Sequence, residues 1–374
     1  MKIYIIAGEA SGDLLGSHLI KALRVMNPSL EIFGVGGALM ESHGLKSLFP
    51  IQDISVMGLV EVIPHILTIK KRIRQTLDHI IATKPDVIVT IDAPGFCLRV
   101  VRLVKKQCKI PVVQYVAPSV WAWKPGRAKK LSQQVDHLLT LFPFEPPYFT
   151  RYGLPTTFVG HPVVEQTPQP DPTFRQRHGI LPDVPLLCIL PGSRQSEIQR
   201  LFPIFMETIT LLSQQFPTIR GVVPVLPHLL SGVKAQAQSC SVPLTITDTP
   251  AEKQAAFMAS TAALAANGTV ALELARASLS MVVGYRLSPI THFIVKRLVT
   301  VDMACPVNLV LNQRIVPERI QHDCTPQNLA QDLVPILKNP QAMKPFLQQA
   351  IDFLRGDDVD MPSQLAARII LSYR

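Results

Sequence analysis

The sequence predicts an α/β protein of two doubly wound, parallel-sheet halves with a cleft between them. Short apolar runs of strand length alternate with longer stretches of helical periodicity, and strands separated by helices form parallel sheets through right-handed crossovers. The alternation stops in the proline-rich, aperiodic stretch HPVVEQTPQPDP (161–172) and then restarts, as it would across an interdomain linker. The length of 374 residues also exceeds what one core usually organises.

In chain order, the first half offers the strands KIYIIA, EIFGVG, DVIVTID, PVVQYVA, HLLTLF and TTFVG, with helical patterns between them over 13–25, 62–82 and 97–107. The second half offers LLCIL, IRGVVPV, LTITD, AALAA and SMVVGY. After LLCIL, Ser196 with Gln199 three residues later reads as a capping box with Ser196 as N-cap. Thr249-Pro250-Ala251-Glu252 opens another helix with a capping box and Pro at the first helical position. Ser288-Pro289 and Thr325-Pro326 open two more, and the helical tail from about 341 is expected to pack back across the halves.

The opening MKIYIIAGEASGD mimics a signal peptide only briefly. Its apolar run is short and Glu9 and Asp13 follow at once, so it reads as a first strand. No run approaches the ~18 apolar residues a spanning helix needs. The reading is a cytoplasmic protein, with contact to a membrane surface left open. A hydrophobic content of 47% against 17% charged residues excludes a disordered chain. The net charge of +10 asks for an anionic partner: nucleic acid, membrane or substrate. Nucleic acid is disfavoured, because no binding module is visible and both tryptophans fall in one motif. Six cysteines without a C-x-x-C, and histidines away from metal spacing, suggest neither a metal site nor a redox pair, so no metal or cofactor is expected. The cysteines read as small core hydrophobes of a reducing compartment. No Ser-His-Asp constellation is visible.

Ligands of open α/β sheets bind beyond the carboxyl ends of strands, so the stretches after strands are the candidate sites. In AGEASGD, Gly8 and Gly12 flank Glu9. The pattern is not G-x-G-x-x-G, and a tight turn capped by Ser11 or Asp13 explains it equally well. In TIDAPGF, Asp92 ends an apolar strand ahead of Pro94; it is either a proton acceptor for a bound hydroxyl or a turn aspartate. Gly192, Ser193 and Arg194 lie between a strand end and a helix start, where an anion is favoured and Arg suits phosphate. The alternative is a surface arginine opposing the helix dipole.

In AANGTVALELA, Asn267-Gly268-Thr269 forms a turn with Thr269 as N-cap. Glu273 falls one residue too late for a capping box, which leaves it to accept bonds from a sugar's paired hydroxyls or to stabilise the dipole. In VEVIPHILTIKKRIRQTL (60–77), Val62, Ile63, Ile66, Ile69 and Ile73 share a helical face, with Lys70, Lys71, Arg72 and Arg74 following. Such a helix either lies on a membrane or faces the core with a solvated basic side. His161, at the junction, is either a cleft residue or a hinge filler.

AGEASGD, VMGLVEV, IDAPGF, PSVWAW, FPFE, GHP, LPGSR, NGTVALE, MVVGYR and VNLVLNQRIVPE follow one another along nearly the whole chain. As an ordered set they resemble the lipid-A-disaccharide synthases, family 19 of the glycosyltransferases. The resemblance implies a GT-B fold: two Rossmann-like domains facing across a cleft. These would be an acceptor- and membrane-facing domain at 1–165, a UDP-sugar-binding domain at 166–345 and a helical tail at 346–374. It implies transfer of 2,3-diacylglucosamine from its UDP derivative to 2,3-diacylglucosamine 1-phosphate, giving a β-1,6-linked disaccharide 1-phosphate and UDP with inversion.

Under the resemblance, Asp92 matches the catalytic base and Glu9 a further important carboxylate. Arg194 matches the arginine at the leaving diphosphate, Glu273 the ribose-binding glutamate, and Asn308 lies in the matching polar loop. Gly192, Ser193, Asn267, Gly268 and Thr269 complete the UDP-sugar set, and Val62, Ile63, Ile66 and Ile69 would meet the anionic inner leaflet from the cytoplasmic side. A helix N-terminus and an arginine can stabilise UDP, so no metal is required. A homodimer is left open. Asn267-Gly268 departs from the more frequent Ser-Gly, and ACPVNL is unusual before Asn308. The rival within enzymes is another UDP-N-acetylglucosamine user of similar fold, a peptidoglycan transferase or a 2-epimerase; the Asp92 motif and PSVWAW argue against both.

Overall fold

A computed structural model describes residues 1–55, 65–168, 170–288, 302–356 and 359–373. The chain forms two units, Met1–Glu165 with Leu354–Arg374, and Gln166–Phe353.

The first unit holds β1 (Lys2–Ala7), β2 (Glu31–Val35), β3 (Val87–Ile91), β4 (Val112–Tyr115), β5 (His137–Thr140) and β6 (Thr156–Phe158) in the order β2-β1-β3-β4-β5-β6. Every pair is parallel. Because strand side chains alternate in direction, β1 feeds two cores at once. Ile3, Ile5 and Ala7 join Leu19 and Leu23 of the helix Ala10–Met26 and Ile370 of the helix Pro362–Leu371. Tyr4 and Ile6 join the helices Ile66–Thr83 and Pro94–Val104 on the other face.

The second unit holds β7 (Leu186–Leu190), β8 (Arg220–Pro224), β9 (Leu244–Thr247), β10 (Ala262–Ala266), β11 (Met281–Tyr285) and β12 (Glu318–Ile320), ordered β12-β11-β10-β7-β8-β9 and again all parallel. The strand order reverses between β1 and β3 in one unit and between β7 and β10 in the other. Loops at such a reversal diverge to opposite faces and leave a crevice, which is where ligands bind in this architecture. The loops after β1, β3, β7 and β10 carry Glu9, Asp92, Arg194 and Asn267.

The eleven runs read as strands all form strands. β12 was not anticipated: three half-buried residues after Pro317 carry no alternation to read. Thr249 and Thr325 cap their helices, accepting the N–H groups of Glu252 at 3.2 Å and Asn328 at 3.3 Å. Ser196 is a correction. The helix after β7 begins at Gln195 with Arg194 as N-cap, and Glu197 reaches back to the N–H groups of Ser193 and Arg194 at 3.0 and 3.3 Å. The opening at Ser288-Pro289 runs beyond the described residues.

Ile69 is also corrected. On the helix Ile66–Thr83 it is 9% exposed and packs in the core with Ile73, so it does not face lipid. Ile66 at 40% and Leu67 at 80% are the apolar side chains turned outward. Val62 and Ile63 lie outside the described residues.

Candidate active site

At the reversal in the first unit, the loops after β1 and β3 touch. A Cβ on Gly8 would collide with the Cβ of Ala93, so only glycine lets Glu9 approach the Asp92 turn this closely. Asp92 and Ala93 both adopt left-handed backbone, φ 48° and 43°, and Pro94 then starts the next helix with its preset φ. The Asp92 N–H donates to the Tyr115 carbonyl at 3.0 Å, pinning the turn to β4. Burial pushes the Asp92 carboxyl above the ordinary aspartate range, against the opposing pull of the Ala93 amide and the Arg127 guanidinium. Asp92 and Glu9 both act electrostatically on buried Cys97, whose thiol is raised mainly by burial. This is a partly desolvated carboxylate on a rigid turn, the condition in which a carboxylate serves as a base.

Backbone strain concentrates around that turn. Val116 at φ 81° and Lys124 at φ 51° follow β4, so four of the eight non-glycine residues with positive φ among those described belong to this end of one sheet. The Val116 carbonyl accepts from buried Gln114, which in turn accepts from Thr90 at 2.6 Å. Glu145 fastens the next loop. One carboxylate oxygen accepts the N–H groups of Leu141 and Phe142 and the other accepts Trp121 Nε1 at 3.2 Å. Burial pushes Glu145 up to about 7. PSVWAW and FPFE are thereby two halves of one brace.

Asp13 and His161 are structural. Asp13 does not cap its own helix; its carboxylate accepts from Gly37, Leu39 and Met40 at 2.8–3.0 Å and caps the helix Ala38–Ser42. His161 is buried, with Nδ1 accepting the Val163 N–H at 3.1 Å, and burial lowers it to about 4. It is a packed filler, neutral near pH 7.

In the second unit, Gly192 at φ 119° brings the loop against Glu197, where a Cβ would lie 2.5 Å from Oε2. Ser193 and Arg194 are exposed. Arg194 Nη1 stands 3.5 Å from Glu197 Oε1, and Tyr285 also reaches that oxygen at 3.5 Å. Glu197, unremarked in the sequence, thus occupies amides that the helix start would otherwise offer an anion.

After β10, Asn267 Nδ2 donates to the Ala304 carbonyl at 3.1 Å and Gly268 makes the turn. Thr269 stands at the N-cap position, but its hydroxyl accepts no capping bond. Glu273 is ion-paired with Lys253 of the helix Pro250–Ala259 at 2.5 Å. Asn308 is a correction. It is fully buried, its amide donates to the Val316 carbonyl and Glu318, and its oxygen accepts from Ile315 and Val316. With both ends occupied it holds the 304–318 loop and is not a direct ligand.

The sequence reading missed Arg127, Trp123 and Glu145. The i, i+4 spacing of Trp123 and Arg127 in WKPGR was the available signal for the first two.

A sequence model of the Lipid-A-disaccharide synthetase family matches residues 3–367. A lipid-A-disaccharide synthase of Rhodospirillum centenum is 45% identical over 376 residues, covering 99% of this chain and 94% of the relative. One of Ruegeria pomeroyi is 44% identical over 382 residues, covering 99% and 95%. Among solved structures, S. aureus MnaA in its co-structure with UDP superposes with a TM-score of 0.66 at 13% identity over 99% of this chain and 94% of that one. Acinetobacter baumannii MurG gives 0.57 at 14% identity over 99% of each. These structures share the fold alone, the two-domain α/β arrangement of GT-B proteins.

Proposed function

The chain belongs to the lipid-A-disaccharide synthase family, glycosyltransferases that form the lipid A disaccharide, and from that premise we propose its donor, acceptor and mechanism. The donor is UDP-2,3-diacylglucosamine, the acceptor is 2,3-diacylglucosamine 1-phosphate, and the reaction inverts the anomeric centre. Asp92 takes the proton of the acceptor's 6-hydroxyl as that oxygen bonds to the donor's anomeric carbon. The bond from that carbon to the diphosphate breaks in the same displacement, and UDP leaves. Arg194 stabilises the leaving charge, and Glu273, oriented by Lys253, accepts from the ribose hydroxyls. Glu9 supports the acceptor beside Asp92.

The observation that carries this reading is the Asp92 turn: a desolvated carboxylate in left-handed backbone at the sheet's reversal point, with an unused basic group nearby. In this reading the first unit takes the acceptor and the second takes the UDP-sugar. Exposed Ile66 and Leu67, followed by exposed Lys70 and Lys71, rest on the anionic cytoplasmic face of the inner membrane. Among the described residues no helix is long and apolar enough to cross a membrane.

The test is UDP release with acylated and unacylated partners side by side. The reading expects release only when both the diacylated UDP-sugar and the diacylated sugar phosphate are present. Turnover of UDP-N-acetylglucosamine alone, or with a lipid-linked muropeptide, would overturn it.

A further inference from the structure

Arg127 starts the short helix Arg127–Ser132, four residues after Trp123. Its guanidinium is half-buried and lies 4.9 Å from the Trp123 ring centroid, while Lys124 Nζ stands 4.8 Å from the same centroid. Among the described residues no carboxylate or carbonyl accepts a hydrogen bond from either cation. The charge Arg127 feels is that of Asp92. Burial without a counter-charge disfavours a guanidinium, and two cations on one indole repel each other.

The loop that holds them is built to stay in place. Lys124 keeps left-handed backbone directly before Pro125, against the preference of both a non-glycine and a pre-proline residue. Two residues before Trp123, Trp121 is tied to buried Glu145. Trp123 itself is 37% exposed, so its indole and the cations beside it remain open to a ligand. An arrangement that concentrates unpaired positive charge beside a base calls for an anion, and a planar guanidinium fits a phosphate.

We propose that Trp123, Lys124 and Arg127 form the subsite for the acceptor's phosphate monoester, which fixes the sugar so that its far hydroxyl meets Asp92. The assignment rests on the reading of the reaction given above. The phosphate neutralises both cations.

The test compares wild type and Arg127→Gln with two acceptors, 2,3-diacylglucosamine 1-phosphate and the same diacyl sugar lacking the phosphate. One charge-assisted contact is worth about one to two decades, so wild type should prefer the phosphorylated acceptor by about ten- to a hundred-fold in kcat/KM. Arg127→Gln should lose that preference through a higher KM for the phosphorylated acceptor and keep its KM for the donor. Arg127→Lys should recover part of the preference. A variant that retains the preference, or that loses both acceptors equally, overturns the subsite.

Binding to phosphatidylglycerol vesicles should match wild type. Loss of vesicle binding with the preference intact would assign the cations to lipid headgroups and overturn the proposal. If wild type transfers to neither acceptor, the reading of the reaction falls and the subsite with it; a preference kept by an active variant removes the subsite alone.

Discussion

Asp92→Asn separates a catalytic carboxylate from a structural one, because the two roles predict opposite changes in stability. The amide cannot take the acceptor's proton, and losing a general base costs about 10²–10⁴ in rate. The backbone tolerates the change, since asparagine accepts the left-handed φ of 48° as readily as aspartate. The carboxyl's folded pKa is raised by burial, so ionising it at neutral pH costs folding free energy. The sign follows directly. Below the ordinary aspartate range the group is protonated in both folded and unfolded chains and imposes no cost; as pH rises through the raised folded value the cost is incurred in full. Asp92→Asn should therefore melt at or above the wild-type temperature at pH 7, with the gap closing as pH falls toward the ordinary aspartate range. Calorimetry across that range, with UDP-release kinetics and UDP affinity, makes the measurement. The expected set is lost turnover, UDP affinity within a few-fold and an unchanged or higher Tm. Turnover near wild type refutes the base, and a variant that loses turnover and also melts lower at pH 7 makes Asp92 part of the scaffold.

Three further perturbations follow from the same geometry. His161 is held near 4 against an ordinary 6.5, so its contribution is present above pH 6.5 and is lost as pH falls through 4, about 3 kcal/mol in all; denaturant midpoints at pH 7 and 4.5 should converge in His161→Asn and diverge in wild type. Glu145, raised to about 7, accepts from Trp121, so Trp121 emission in a Trp123→Phe background should titrate near pH 7 and become flat when Glu145→Gln is added. Ile69→Ser should cost about 2–5 kcal/mol because the side chain is in the core, whereas Ile66→Ser with Leu67→Ser should leave Tm unchanged and weaken binding to anionic vesicles; the opposite pattern would return Ile69 to the surface.

The strands and the residues at their ends were legible because a buried parallel strand writes a continuous apolar run, and function in such sheets gathers where those runs stop. Asp92 and Arg194 became candidates on that rule. What the sequence concealed was partnership across distance. Asp13 has the local signature of an N-cap, yet its acceptor capacity is used by amides 24 to 27 residues away. Asn308 looks like a polar loop ligand until its four hydrogen bonds, all within ten residues of it, are counted. The Ser196–Gln199 pair fits a capping box in the wrong register, because Glu197 alone can cap a helix whose N-cap residue is arginine. Ile69 shows why an amphipathic helix is ambiguous: periodicity finds the apolar face and does not say what covers it. Glu145 was unreadable for the same reason as Asp13, its partner Trp121 lying on another loop.

Product analysis tests the central claim most directly. Enzyme incubated with UDP-2,3-diacylglucosamine and 2,3-diacylglucosamine 1-phosphate should give equal amounts of UDP and a tetraacyl disaccharide 1-phosphate by mass spectrometry. The proton coupling at the new anomeric centre should report a β linkage, and the long-range correlation of that proton to the acceptor's C6 should place it on O6. An α linkage, a second attachment position, or UDP released without disaccharide would contradict single displacement by a hydroxyl that Asp92 deprotonates.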